Sequence, residues 1–451
     1  MGCTGGLALG AAASWARYAL ERTLRLDTGT PAYLATAAAL GVGLALAGAC
    51  ALRLLRLAPD LRLTRLLGWA ALAHLCAASA LALTSRDLFS NLAYGEMQLL
   101  GANPYLSGPR ALASRPLLEL IAPRWLDTPS AYGPILSMAS WVAAAAGAAL
   151  RSPLWGASAA FKGLMLLCSL ATLLLAYACA RAARDAREGA EGFALVAFSP
   201  LLAWEVSAQA HNDGALVLAL MAFAWAARRD REVVATLALA AGTLAKLAAA
   251  PLLGLYLAFV FRRSPRRAVA LALAAAAAGA LLVSPYWQGL ATLRGPALTL
   301  GGDALRHAHS LADLLCLALD PLSRVAADVA YRACWVGSIA LCLALFVRGA
   351  WRATDLDRVV HHGIVLFLAY DLTVPWFQPW YATWLLPLAA VEREPELRRV
   401  VAVYAVLTVV QWALPLDPAS TVAVDAWTAL ALYRSSRARA SARATPLPDR
   451  P

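Results

Sequence analysis

The run from Trp155 to Ala180, WGASAAFKGLMLLCSLATLLLAYACA, decides the fold. It carries a single charge, Lys162, between the flanking arginines Arg151 and Arg181. An α-helix of about 20 such residues crosses roughly 30 Å of hydrocarbon, with every backbone polar group paired inside the helix. Comparable apolar runs fill the rest of the chain. Before Trp155 they are Pro31 to Leu55, Leu66 to Thr84 and Tyr132 to Leu150. After Ala180 come Gly192 to Ser207, Gly214 to Ala227, Val233 to Ala245, Ala249 to Phe261 and Ala268 to Ser284. The series closes with Val325 to Val347, Val359 to Thr373, Trp380 to Val391, Val400 to Leu414 and Thr421 to Tyr433. The expectation is an all-α polytopic integral membrane protein with about 12–13 transmembrane helices.

Composition agrees. Of the 451 residues 61% are hydrophobic and the mean hydropathy is +0.62, more apolar surface than one soluble core can bury. No alternating pattern of the kind a transmembrane barrel needs is visible. The net charge of +12 comes from 39 basic residues, of which only Lys162 and Lys246 are lysines. Because the arginines sit in short loops between apolar runs, they report topology rather than nucleic-acid binding. The clusters Arg53 to Arg65, Arg181 to Arg187, Arg228 to Arg231, Arg262 to Arg267, Arg348 to Arg358 and the tail from Arg434 to Arg443 are expected inside.

That assignment leaves outside the loops 85–131 and 285–324, the neighbourhoods of His211 and Lys246, and the short connections 375–379 and 415–420. Strict alternation fails once, so one segment between Tyr132 and Ser207 is expected not to span fully, either Tyr132 to Leu150 or Gly192 to Ser207. The division expected is an N-terminal segment 1–30 without a signal peptide, a multi-spanning domain 31–433 and a disordered basic cytoplasmic tail 434–451. The eight cysteines are scattered with no CxxC pair or His at metal spacing, and read as packing residues.

Polar chemistry collects in the outside loops. In the first, Asp87 follows Arg86 where an apolar helix meets water, and Asn103-Pro104-Tyr105 and Tyr132-Gly133-Pro134 come after it. A carboxylate half-buried at such a helix end is a candidate general base. The competing reading is an interfacial acid beside Arg86, with an aromatic belt of Tyr94, Tyr105 and Tyr132. His211-Asn212-Asp213 opens an apolar helix and can hydrogen-bond sugar hydroxyls or a phosphate, although Asp213 also suits a plain N-cap. Lys246 stands in an apolar hairpin, where a cation either takes an anionic partner or snorkels to the headgroups. Trp380 and Tyr381 close a late aromatic group that reads as a belt or as a sugar or isoprenoid platform. Asp355-Leu356-Asp357 matches a DxD pattern but lies in a short Arg-rich inside loop, and is set aside.

Taken in order, Asp87, Asn103-Pro104-Tyr105, Tyr132-Gly133-Pro134, His211-Asn212-Asp213, Lys246 four residues after Gly242, and Pro379-Trp380-Tyr381 resemble the GT-C superfamily of membrane glycosyltransferases. The resemblance, from about Leu66 to Leu388, is greatest to the bacterial polyprenol-phosphate-mannose-dependent mannosyltransferases of the MptA/MptB type. It implies a GT-C-like fold and an inverting transfer of a hexose, mannose by the nearest likeness, from a polyprenyl-phosphate carrier. The acceptor would be a cell-envelope glycolipid or polysaccharide on the outer face of the plasma membrane. Asp87 would be the catalytic base, and Lys246 and His211 would lie around the donor phosphate. Donor and substrate contacts would come from Arg86, Asn103, Tyr105, Tyr132, Asn212, Asp213, Trp380 and Tyr381. No cofactor is expected; a divalent metal stays open without support from the residues, and Arg86, where relatives often carry a small or acidic residue, puts a first-loop metal site in doubt. The rival classes are a secondary transporter or flippase, which predicts inverted repeats, and a non-catalytic envelope-assembly subunit, in which Asp87, His211 and Lys246 would tolerate alanine.

Overall fold

The computed structural model describes residues 31–80, 82, 85–111, 114–295, 310–413 and 419–444. The expectations for the N-terminal segment, for part of the second outside loop and for the end of the tail fall outside them. Among the described residues the chain is helical, with only an isolated bridge between Gln288 and Leu290. In chain order the helices that matter here are α1 (Pro31–Leu57), α2 (Leu63–Ala78), α3 (Asp87–Leu99), α4 (Pro134–Ala149), α5 (Trp155–Arg181) and α6 (Ala186–Ala197). They continue with α7 (Asp213–Ala227), α8 (Glu232–Ala245), α9 (Ala250–Arg263), α10 (Pro265–Val283), α11 (Leu311–Leu319) and α12 (Arg324–Arg352). The last four are α13 (Leu356–Thr373), α14 (Leu385–Ala389), α15 (Pro395–Ala413) and α16 (Ala419–Ala444). The Arg/Ser tail, expected to lack structure, continues α16 as far as Ala444.

Four of these helices, α1, α5, α10 and α12, are long and apolar enough by themselves to cross a membrane. The protein is thus an all-α membrane protein. Their outward faces carry Leu46, Leu167, Leu174, Leu273, Leu281, Val336 and Leu343, the apolar exposure a lipid-facing surface requires. Of the shorter apolar helices, α7 is buried between α5 and α8, while α2, α4 and α8 also turn apolar side chains such as Leu75, Trp141 and Val233 outward. The core is small side chains and aromatics: Phe161, Phe193, Trp204, Phe223, Tyr256 and Tyr404 are fully buried.

Helix starts follow capping chemistry. Asp185, Ser264, Ser323 and Asp355 each accept a backbone N–H of the first turn of the helix that follows. Asp355 is therefore a cap, and Asp357 pairs with Arg228 and Arg393, which gives both acids of the DxD pattern a structural role.

The directions of the helices separate two ends. α7 runs from Asp213 toward Arg228 and Arg229, α8 returns from Glu232 to Lys246, α9 runs on to Arg262 and Arg263, and α13 returns from Arg358 toward Trp380. The arginines of the first end tie the helices together: Arg228 bonds Asp357 and the Val391 carbonyl, Arg262 the carbonyls of Ala350 and Trp351, and Arg398 Glu191. The other end gathers His211, Asp213, Lys246 and Trp380.

Two apolar runs are not continuous helices. Gly192 to Ser207, one of the two segments left in question by the charge alternation, ends its α-helix at Ala197 and breaks at Ser199-Pro200. It then widens into a π turn over Ala203–Ala208. Trp380 to Val391 begins as a 3₁₀ turn, Pro379–Trp384, before α14. Proline lacks the N–H that a continuing helix needs, and both breaks fall beside the polar cluster.

Candidate functional site

Asp87 is the first residue of α3, so its carboxylate sits against the positive end of that helix. Its side chain keeps 20% exposure, while His211 opposite it keeps 1%. Tyr132, entering α4, donates its hydroxyl to Asp87 Oδ2 over 3.4 Å, and His211 Nδ1 lies 3.7 Å from the same oxygen. Asn91, one turn along α3, donates to the Asp87 carbonyl and accepts from Asn212 over 3.3 Å. Burial raises the Asp87 carboxyl above its ordinary range and Asp213 adds to that, while Lys246, Arg124 and the Tyr132 hydroxyl pull the other way.

The motif Tyr132-Gly133-Pro134 is explained by close approach. Gly133 N–H donates to the Ala245 carbonyl at 2.9 Å, and a Cβ there would lie 1.9 Å from the Leu244 carbonyl oxygen. Only glycine lets α4 start against the end of α8, and Pro134 then opens α4 without needing an N–H partner. This contact brings Lys246 beside Tyr132. The Lys246 ammonium lies 2.6 Å from Asp213 Oδ2 and over the rings of Tyr132 (5.4 Å) and Tyr381 (5.8 Å). Asp213 is fully buried, and its Oδ1 accepts the Trp384 indole N–H at 2.7 Å. Tyr381 stacks on Trp384 at 4.7 Å.

His211 is positioned from three sides. Its ring stacks on Trp380 with centroids 3.7 Å apart, Nε2 lies 3.4 Å from Glu205 Oε2, and its N–H donates to the Glu205 carbonyl at 2.9 Å. Burial first, then the charge of Lys246, holds the imidazole well below its ordinary pKa, so it rests neutral. The preceding residue, Ala210, has φ 57°, a left-handed conformation that costs a side-chain-bearing residue about 1–2 kcal/mol. Ala210→Gly is accordingly expected to raise thermal stability in detergent by roughly 1 kcal/mol, and Ala210→Val, fully buried and β-branched, to lower it. The reverse order of melting temperatures would show that the turn carries no strain.

The remaining expected site residues divide. Asp87, Tyr132, His211, Asn212, Asp213, Lys246, Trp380 and Tyr381 converge. Arg86 is exposed at the N-cap position of α3 with no side-chain capping bond. Asn103 and Tyr105 hold the loop: Asn103 accepts from the Tyr105 N–H and donates to the Tyr286 carbonyl at 2.7 Å, and the Tyr105 hydroxyl pairs with Ser137 at 2.8 Å. One face of Trp380 is taken by His211 and Trp384 is buried beneath Tyr381, which leaves the half-buried Tyr381 as the accessible ring.

Two residues of the cluster escaped the sequence reading. Arg124 stacks its guanidinium on Trp125 (5.1 Å) and Trp376 (4.9 Å). Burial, the larger effect, lowers its own pKa, against the pull of the Asp87 carboxylate. Glu205 is completely buried in the π turn. Its signal was an acid inside an apolar run, six residues before the histidine. Among the described residues no group of three or more His, Cys, Asp or Glu side chains is arranged to hold a metal ion.

The structure is an apolar helical frame with an acid, cations and aromatic rings gathered at one end, and the comparisons give its group. Residues 1–263 match the family described as alpha-(1->6)-mannopyranosyltransferase, N-terminal domain, and the chain belongs to this family of membrane glycosyltransferases. It is 27% identical over 409 residues, 81% of this chain and 74% of the relative, to alpha-(1->6)-mannopyranosyltransferase A of Mycobacterium tuberculosis (strain ATCC 25618 / H37Rv).

Proposed function

We propose that the protein moves mannose from a polyprenyl-phosphate carrier to a glycolipid or polysaccharide acceptor on the outer face of the plasma membrane, inverting the anomeric centre. The observation that carries this reading is the half-exposed Asp87 carboxylate, bonded to Tyr132 and flanked by Lys246 and Arg124, at the end of the bundle opposite the arginine-rich ends. A carboxylate raised in basicity takes the acceptor hydroxyl proton as the oxygen attacks the anomeric carbon. The bond from that carbon to the phosphate oxygen breaks, and the electron pair leaves with the polyprenyl phosphate. The relative's name specifies an alpha-(1->6) product. A single displacement inverts, so a β-linked donor would be required for the same product here.

The leaving phosphate gains negative charge, and preorganised cations in a water-poor site stabilise it. Lys246 is engaged by Asp213, and Arg124, whose charge acts on Asp87, carries the planar fork suited to phosphate oxygens. Arg124→Ala is expected to raise the donor KM by roughly tenfold or more, the scale of one charged hydrogen bond. Arg124→Lys would recover only part of it, since an ammonium cannot stack on an indole face as a planar guanidinium does. Equal donor KM values in all three proteins would remove Arg124 from the site.

Proteoliposomes given radiolabelled polyprenyl-phosphate mannose or GDP-mannose, with an extracted envelope glycolipid fraction as acceptor, test the whole reading. Transfer from the lipid donor alone is expected. Transfer from GDP-mannose alone would overturn it.

A further inference from the structure

Glu205 is a second buried acid that the transfer chemistry leaves without a role. It has zero exposure, and neither carboxyl oxygen has a hydrogen-bond partner; the nearest polar group is His211 Nε2 at 3.4 Å. The turn that carries it is pinned from behind. Ser207 donates its one hydroxyl proton to Ser169 at 3.0 Å and so accepts from His74 Nδ1–H at 2.8 Å. Lys162 donates both to the Ala208 carbonyl, at the end of the turn, and, at 2.8 Å, to the Ala80 carbonyl after α2. The turn is thus fixed to α2 and α5, and π turns of this kind concentrate at functional sites.

The neutral imidazole has one N–H, and the partner of one nitrogen decides which nitrogen carries it. We propose that Glu205 is a positioning residue for Asp87: as the neutral acid it donates Oε2–H to His211 Nε2, which fixes Nδ1–H toward Asp87 Oδ2. The inference rests on the reading of Asp87 as the base. The Tyr132 hydroxyl approaches the same Oδ2, at 3.4 Å. Both donors therefore orient Oδ2 and leave Oδ1 as the oxygen that takes the acceptor proton. Glu205 and His211 neither gain nor lose a proton in the step; the hydroxyl proton moves to Asp87 Oδ1 as the glycosidic bond forms and the phosphate leaves. The separations of 3.4 and 3.7 Å close to hydrogen bonds when the acceptor seats the carboxylate. His211 is on this account not a phosphate ligand.

Glu205→Gln and Glu205→Met separate the possibilities, because glutamine still offers an N–H to Nε2 and methionine offers none. Glu205→Met is expected to lower kcat by about 10²- to 10⁴-fold, the scale on which a misplaced tautomer acts, with the donor KM within about twofold of the wild type. It should also move the acid limb of the pH profile upward, since Asp87 loses a donor to its charged form. The groups facing Asp87 that share in this limb are His211, Tyr132, Lys246, Asp213 and Arg124; those facing His211 are Asp87, Glu205 and Lys246. Glu205→Gln should recover most of the loss. Imidazole ¹⁵N NMR of the histidine-labelled protein, assigned with His211→Gln, should show the Nδ1–H tautomer of His211 whether or not transfer is measured. A Glu205→Gln protein as impaired as Glu205→Met, or an Nε2–H tautomer in the wild type, overturns the proposal. Should Asp87→Asn keep its activity, the base assignment fails while the tautomer result still stands on its own.

Discussion

Asp87→Asn lowers mannosyl transfer by roughly 10²- to 10⁴-fold, the contribution of a positioned general base. The amide preserves the volume of the side chain and can still accept from Tyr132, so folding and donor binding should change little while kcat falls. The same group sets a pH dependence. Burial raises the Asp87 pKa, and only the ionised form takes a proton, so activity is present above the raised pKa and is lost as pH falls through it. Replacing Tyr132 by phenylalanine removes a hydrogen bond to the charged form and should move that acid limb to higher pH. The check is transfer from radiolabelled polyprenyl-phosphate mannose in proteoliposomes across pH, with donor affinity measured separately. Full activity of the Asp87→Asn protein would exclude Asp87 as the base.

The helical membrane fold was legible because it is written in composition: runs such as Trp155 to Ala180 have one energetically acceptable conformation in lipid. Much of the site was legible for a related reason. Polar residues such as Asp87, His211, Asp213 and Lys246 are conspicuous in an apolar chain, and the structure brings them together. What could not be read is how backbone breaks aim side chains. The π turn and the left-handed Ala210 bring Glu205 and His211 face to face, although the sequence around Glu205 reads as an uninterrupted span. Arg124 was hidden differently, since an arginine in an outside loop is ordinary until the fold sets it against both Trp125 and Trp376. Asn103 and Tyr105 show the other side of this: the sequence by itself reads them as polar loop residues, whereas their polar atoms close a turn and tie it to Tyr286 and Ser137.

The buried pair Asp213 and Lys246 gives the other large effect. Asp213 is fully buried and the Lys246 side chain keeps 12% exposure, so removing one partner strands the other charge. Asp213→Ala leaves an ammonium in an apolar hairpin and also takes the acceptor from the Trp384 indole. The first loss alone costs about 3–5 kcal/mol and the unsatisfied indole about 1–3 kcal/mol more. Thermal unfolding in detergent should therefore show a fall of several degrees or more. Combining Asp213→Ala with Lys246→Met removes the stranded charge, and packed apolar groups replace buried ion pairs at little cost, so most of the lost stability should return. Transfer activity should not return with it. Asp213 and Lys246 join the start of α7 to the end of α8, and through the Tyr132 and Tyr381 rings they fix the surroundings of Asp87. A double variant that regained both stability and activity would make the pair a packing feature. One that regained stability alone would tie its charge to the site.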